Sequence, residues 1–344
     1  MLAWTCTYLS ACQAGYDNQL EDYLNRLENI LEVDRTDIIK AQNGVTLKSA
    51  LPKIPSQRAT QIELLTAEAS IGILEFLSLD KCAIQQTIAE KNNNLGKVAA
   101  QSQQLLNSIT FIQQAPACLE ILKTEQLDQL QHKLQHSFET KTQQLPYLLW
   151  HASLNGAEYR SFWKTANIDY QYPLALPINQ PLALKNLFEF SQDVLLLKNP
   201  SINLEQTLGI IRQGDGGQLL AAYTHLLNQL QVANQLVQTA LAKPFCQANN
   251  PNLTQPNIKI LHNMVTSFFI PKIQRWSNDL NKRYEELIPS ISKLDALYEN
   301  IEHPKIKQWR KQRNQLFQQA RSATKNHVKM INQLYQQCAT SPQS

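Results

Sequence analysis

NQLEDYLNRLENILEV, residues 18–33, sets the character of the chain. Leu20, Tyr23, Leu24, Leu27, Ile30 and Leu31 recur at the three- and four-residue spacing of one helix face, with charged and amide side chains between them. Asn18, followed three residues later by Glu21, has the form of a capping box, in which each side chain satisfies a backbone N–H at a helix start. The same period returns downstream. It predicts helices over 61–78, 80–92, 100–114 and 117–122, a long one over 124–155, and then 182–197, 203–212, 217–242, 257–300 and 304–337. Period-two alternation never outlasts a few residues, so no significant sheet is expected.

Prolines punctuate this pattern. LPKIP (51–55) and NIDYQYPLALPINQP (167–181) enforce extended backbone and read as crossing loops. Pro116 is expected to break a helix, and Pro146, Pro271 and Pro289 to bend or divide theirs. Only 9 Gly in 344 residues argues against folds that need many tight turns. The expectation is an all-α, multi-helix bundle with long helices and Pro-rich crossing loops. One helical domain would span 18–338, with a subdivision allowed near 165–181 and a disordered tail at 339–344.

The net charge of +4 is unevenly placed. From His303 to Ser344 there are eight Lys or Arg (Lys305, Lys307, Arg310, Lys311, Arg313, Arg321, Lys325, Lys329) and no Asp or Glu. Ile306, Trp309, Phe317, Ala320, Val328, Ile331 and Tyr335 form the apolar stripe of this last helix, which leaves its basic residues for the other faces. Such a face is either simply solvated or laid against anionic lipid headgroups. Nucleic acid is not expected as a partner. No stretch reaches the roughly 18 apolar residues of a membrane-spanning helix.

The first dozen residues carry a different message. Leu9-Ser10-Ala11-Cys12 matches the end of a bacterial lipoprotein signal: an apolar residue, two small ones that fit the signal peptidase, and a thiol that takes the diacylglycerol. Residues 1–12 then read as a truncated signal, with Cys12 the lipidated residue and 13–17 a tether. Two or more acyl chains anchor a protein stably where one does not. Residues 1–11 contain no Lys or Arg, although a secretion signal starts positively charged. Either a start codon upstream of Met1 supplies that charge, or the match is accidental and Leu2–Cys12 is a helical tail. Gln13 after the Cys favours the outer membrane.

Four cysteines remain in the body: Cys82, Cys118, Cys246 and Cys338. An even count in an oxidising compartment points to disulfides, with buried free thiols as the alternative. A helix running ten residues down from Cys82 and another returning about fifteen would bring Cys118 back to its level at ~1.5 Å per residue. Cys82–Cys118 is therefore the pairing expected, and Cys246–Cys338 follows as the weaker one.

In order along the chain, ACQAGYDN (11–18), IGILEFLSLDKCAIQQTIAEKNNNLGKVAAQSQQLL (71–106), LPYLLWHASLNGAEYRSFW (145–163), LGIIRQGDGGQLL (208–220) and ILHNMVTSFFIPKIQRW (260–276) resemble a family of Gram-negative envelope lipoproteins catalogued as domain of unknown function 3080. Cys82 through Ser102 is the most specific stretch. The resemblance implies lipoprotein processing, a periplasmic face and a helical body. It brings no catalytic residues and no cofactor.

Several residues invite a functional reading. Glu90, Asn92, Asn93, Asn94 and Lys97, in IAEKNNNLGKV (88–98), would hydrogen-bond a glycan or peptide, with Gly96 admitting it to the backbone; the plainer reading is a helix C-terminal turn. His132 and His136 stand one helical turn apart, but no third metal ligand is evident. GDGG (214–217) lacks the Lys-Ser/Thr ending of a phosphate loop and reads as a turn. Trp150, His151, Tyr159, Arg160, Phe162 and Trp163 form either core or a glycan-stacking platform. Two functions follow: a non-enzymatic lipoprotein that binds an envelope protein or polymer, or an envelope hydrolase acting on glycans with carboxylates such as Glu90 and Glu158.

Overall fold

Residues 216–242 contain no Asp, Glu, Lys or Arg, and the fold is assembled around them. The computed structural model describes residues 16–36, 50–56, 72–165, 168, 172–173, 179–242 and 256–339. Among these residues every regular element is helical. The uncharged segment forms α10 (Gly216–Ala242; α1 to α9 are defined below), with 14 of its 27 residues buried, so it accepts neighbours on more than one side. The first helix, α1 (Tyr16–Leu31), lays its predicted stripe against α10: Leu20, Tyr23, Leu24 and Leu27 are all buried. It starts before Asn18, which is an exposed residue inside the helix and not its cap. The last helix, α13 (Pro304–Ala339), packs along α10, with Phe317 against Tyr223 and His327 against Asn234, and buries Ile306, Trp309, Phe317, Ala320 and Ile331.

Between them come α2 (Ile73–Leu77), α3 (Ile84–Asn92), α4 (Asn94–Lys97), α5 (Gln101–Thr124), α6 (Asp128–Ala152), α7 (Ala157–Phe162), α8 (Gln180–Leu195) and α9 (Leu204–Arg212). After α10 follow α11 (Pro256–Met264), a π-helical stretch (Val265–Gln274) and α12 (Arg275–Leu297). Helices α5 and α6 form a long hairpin. The largest cluster of buried side chains draws on both sides of 165–181.

The prolines behave differently from expectation. Pro116 does not break its helix: α5 runs through it. Ile112, Ala115, Cys118 and Leu119 bury on both sides of the proline, and that packing offsets one lost hydrogen bond. Pro146 and Pro289 also sit inside continuous helices. At Pro271 the helix widens into the π stretch, which relieves the clash of the ring with the preceding turn. The widening also lets consecutive residues Phe268 and Phe269 both bury.

Two buried ion pairs sit in this core. Arg283 of α12 donates to both carboxylate oxygens of Asp215, at 2.6 and 2.9 Å, and to Gln180 Oε1 at 2.6 Å. The Tyr172 hydroxyl donates to the same carboxylate at 2.9 Å, and Trp276 Nε1 donates to the Tyr172 carbonyl. Burial alone would lower the Arg283 pKa, but the Asp215 partner raises it above its ordinary value. Arg313 of α13, wholly buried, pairs with Asp295 at 2.5 Å and lies against the rings of both Trp163 and Trp309. Placing the α13 cations on the outer faces therefore fails for its arginines. Arg313 is in the core, Arg310 reaches Glu302, and Arg321 pairs with Glu285 while lying over Tyr284.

A second, smaller cluster occupies the far end of the α5–α6 hairpin, where Leu79, Cys82, Ile84, Phe111, Ala115, Cys118, Leu122, Leu130 and Leu134 meet. The expected Cys82–Cys118 disulfide is formed there, with the Cα atoms 5.2 Å apart. Cys338 is disulfide-bonded as well; Cys246, its expected partner, lies outside the described residues.

Candidate functional site

Two turns far apart in sequence face one another across a cleft of about 500 Å³. One wall is the entry to α5, Ala99-Ala100-Gln101-Ser102; the other is the α6–α7 junction, His151, Ala152 and Asn155–Glu158. The first wall exists because α4 ends and the chain extends at Ala100 before α5 begins. No side chain caps the α5 N-terminus and no acid lies in its first turn, so backbone N–H groups of that turn face the cleft end of the helix. The second wall is a tight reversal. Ser153 N–H bonds to Leu149 O at 3.0 Å, Asn155 N–H to Trp150 O at 2.9 Å, and Gly156 N–H to Ser153 O at 3.0 Å. A Cβ on Gly156 would lie 2.7 Å from the Ala152 carbonyl oxygen, so this reversal admits no larger residue.

The polar groups of that wall are held in place. Asn155 is wholly buried, and its Nδ2 donates to His151 Nδ1 at 3.0 Å, which puts the imidazole proton on Nε2. Arg160 clamps the turn from behind: Nε donates to Asn155 O at 3.0 Å, Nη2 to Asn155 Oδ1, and Nη1 to the carbonyl of Pro55. Its guanidinium pKa is lowered to about 10 by burial. Ser153 Oγ donates to Leu149 O at 2.6 Å and to the Tyr298 hydroxyl, which in turn donates to Ser191 Oγ at 2.8 Å, tying the reversal to α8 and α12. The cleft thus presents amides, a hydroxyl, an imidazole and Glu158 among four small alanines (Ala99, Ala100, Ala152, Ala157) that leave room. Such a surface hydrogen-bonds a polar ligand in both directions.

The residues singled out in sequence are distributed around this site. Glu90 is exposed on α3 and accepts from Gln86 Nε2 at 2.8 Å. Asn92 and Asn94 are exposed, as is Asn93, which ends α3 and accepts the Gly96 N–H at 2.7 Å. The Lys97 side chain lies outside the described set. What approaches Gly96 is the end of α3: a Cβ there would stand 2.2 Å from Glu90 O and 2.5 Å from Lys91 O. This stretch folds α4 back on α3 and so delivers Ala99–Ser102 to the cleft. Glu158 lines the cleft; Glu90 is not among its described lining residues. His132 and His136 are both exposed on α6, and no cluster of three metal-capable groups occurs among the described residues. Trp150, Tyr159, Phe162 and Trp163 are buried, so these rings are core and present no platform. Cys12 lies outside the described residues.

Two residues that matter were missed. Asp215 sits in the Gly-rich turn, and its environment is invisible in GDGG; Gly214 and Gly216 leave room for the Phe162 ring, which a Cβ at either would strike at 2.2 Å. Asn155, in LNGAEYR, drew no reading beside its aromatic neighbours. Its role comes from Arg160 five residues later.

A family model described as protein of unknown function (DUF3080) matches residues 20–342. Neither a curated protein nor a solved structure matches the chain.

Proposed function

The chain belongs to the DUF3080 family, and for this member we propose a non-enzymatic binding or scaffold role at the cell envelope. In this reading the helical body is tethered to a membrane, the outer one of a Gram-negative cell, through acylated Cys12 and faces the periplasm. It captures an envelope protein or polymer in the cleft between Ala99–Ser102 and His151–Glu158. The observation that carries the binding role is the clamped second wall: His151 and Asn155 are fixed by Arg160 before any ligand arrives, and preorganisation lowers the entropic cost of capture. The Leu9–Cys12 run and the Cys82–Cys118 disulfide support the address, because disulfides persist in oxidising compartments. The hydrolytic alternative needs Glu90 beside Glu158. Glu90 instead spends its bond on Gln86, on the exposed side of α3.

Two experiments test this. Globomycin, which blocks the lipoprotein signal peptidase, should make the precursor accumulate in cells expressing a full-length form; a protein that stays unlipidated with Cys12 intact removes the anchor. A photo-crosslinking residue at Ala99 or Ala157 should capture one discrete partner, absent when the same residue stands at exposed Glu299. Identical adducts from all three positions would remove the cleft.

A further inference from the structure

The arginines and lysines of α13 are sorted. All three arginines find carboxylates: Arg310 on Glu302 in the turn before α13, and Arg313 and Arg321 on Asp295 and Glu285 of α12. Lys307, Lys311, Lys325 and Lys329 are exposed. At 100° per residue these four fall within about 40° of one line down the helix, spanning ~33 Å. The positions on the same line between and beyond them are Gln318 and Gln336, and the segment after Glu302 has no acid to interrupt it. Lys307 has a carboxylate 3.8 Å away, that of Glu299, while Lys311, Lys325 and Lys329 make no ion pair among the described residues. Some exposed lysines elsewhere take carboxylate partners, Lys81 with Glu125, Lys185 with Glu189 and Lys282 with Asp279, and others, such as Lys123 and Lys198, make no ion pair among the described residues. What sets α13 apart is that four exposed lysines share one straight row.

We propose that this lysine row of α13 docks on the anionic phosphates of lipid headgroups in the membrane that carries the protein. A straight row of cations along a 36-residue helix, with a carboxylate beside it only at Lys307 among the ion pairs of the described residues, complements a flat anionic surface. The choice of a bilayer over a soluble polyanion rests on the anchor reading above. The Tyr23 hydroxyl meets buried His327 of α13 at 2.5 Å, and at 100° per residue His327 stands about 160° around the helix from Lys325 and Lys329. That contact with α1 is therefore on the opposite face of α13 and leaves the row uncovered.

The test uses the full chain with Cys12→Ser, so that no acyl chain contributes, and vesicles of phosphatidylcholine with or without phosphatidylglycerol. Co-sedimentation is expected only with the anionic vesicles and should weaken with added salt. Binding should fall about fivefold for each lysine changed to Gln, and several hundredfold in Lys307→Gln/Lys311→Gln/Lys325→Gln/Lys329→Gln. A matched variant with Lys123, Lys185, Lys198 and Lys259 changed to Gln should bind within a few-fold of the parent. Circular dichroism melting of both variants checks that folding is kept. Equal binding to neutral vesicles, no binding to either, or equal loss in the two variants overturns the proposal. So does binding to duplex DNA or heparin without binding to vesicles. The mass of Cys12 in cells reports the anchor separately, so the two readings can fail independently.

Discussion

The two buried clusters solve the same problem in opposite ways. The large one, around α10, contains two arginine–carboxylate pairs that are almost wholly desolvated, Arg283–Asp215 and Arg313–Asp295. The small one, at the end of the α5–α6 hairpin, contains a disulfide. Desolvating a charge costs several kcal/mol per ion, and a good partner returns that only with further hydrogen bonds. The large cluster supplies them from Tyr172 and Gln180 for one pair and from Asn314 for the other, where the Trp163 and Trp309 rings add cation–π attraction. It also buries enough Leu, Ile and Phe, at about 1.5–3 kcal/mol each, to carry such pairs. The small cluster has few apolar side chains and its α2 and α3 are short, so a covalent constraint on the unfolded chain replaces burial. The cleft lies where chain leaving the stapled region meets the charge-pinned one. Its two walls are held by different physics.

The largest effect is therefore expected in the large cluster. Asp215→Ala strands Arg283 in the core and should cost about 3–5 kcal/mol, read as the midpoint of urea or thermal unfolding. Asp215→Leu with Arg283→Met removes both charges and should recover much of that loss. A double variant as damaged as the single would place the energy in the Tyr172 and Gln180 hydrogen bonds and not in the charge pair. Second comes Cys82→Ser/Cys118→Ser. The two residues are 36 apart in sequence, and a loop of that length contributes about 4 kcal/mol in the chain-entropy account. The loss should be local. Amide exchange should quicken in α2, α3 and the facing ends of α5 and α6, while α10 keeps its protection. A uniform rise across α10 would mean that the two clusters form one cooperative unit.

How far the sequence disclosed this follows the same division. The stapled region was legible: helix period and rise gave two antiparallel helices and put Cys118 opposite Cys82, because local geometry decides it. The α1 and α13 stripes were legible for the same reason. The charge-pinned region was not. On a helical wheel Arg283 falls in line with Leu280 and Leu287, and Arg313 with Ile306 and Trp309, so only their charge argued for solvent; nothing local marks Asp215 or Asp295 as their partners from 68 and 18 residues away. Pro116 misled because flanking burial outweighs one missing hydrogen bond. Of the site, Glu158 and the stretch leading into Ala99–Ser102 were noticed, but the cleft joins two turns about fifty residues apart, and no period reports that.

Acid probes the large cluster from another side. His327 is wholly buried between Tyr23, Asn234 and Phe269, and burial lowers its pKa to about 3. Nδ1–H donates to Asn234 Oδ1 and Nε2 accepts from the Tyr23 hydroxyl, a complete set for the neutral ring. Unfolded, the same imidazole takes a proton near pH 6.5. The unfolded state then binds the extra proton, so stability falls as pH drops from 6.5 toward the folded value. About 2–3 kcal/mol should be lost between pH 6.5 and 4.5. His327→Gln should flatten that slope while lowering stability at pH 7. The slope should survive Cys82→Ser/Cys118→Ser unchanged, since α1, α10 and α13 lie outside the stapled cluster.

Gly96 gives the smallest expected effect on stability and the sharpest on the junction between the two regions. Its missing side chain lets α4 fold against the last carbonyls of α3, and Gly96→Ala would drive a methyl onto Glu90 O and Lys91 O. Because α4 is only four residues long, it can swing away at a cost of about 1 kcal/mol. The disulfide and the small cluster should survive, so the unfolding midpoint barely moves. Ala99–Ser102 follow directly on α4, however, and any swing carries that wall of the cleft with it. Capture by a crosslinker at Ala157, on the clamped wall, should then fall several-fold at nearly constant stability. Asn155→Ala should disturb the same capture from the opposite wall, by releasing Arg160 and His151. If Gly96→Ala leaves capture intact while Asn155→Ala abolishes it, recognition resides in the charge-pinned wall alone and the stapled hairpin is only a support.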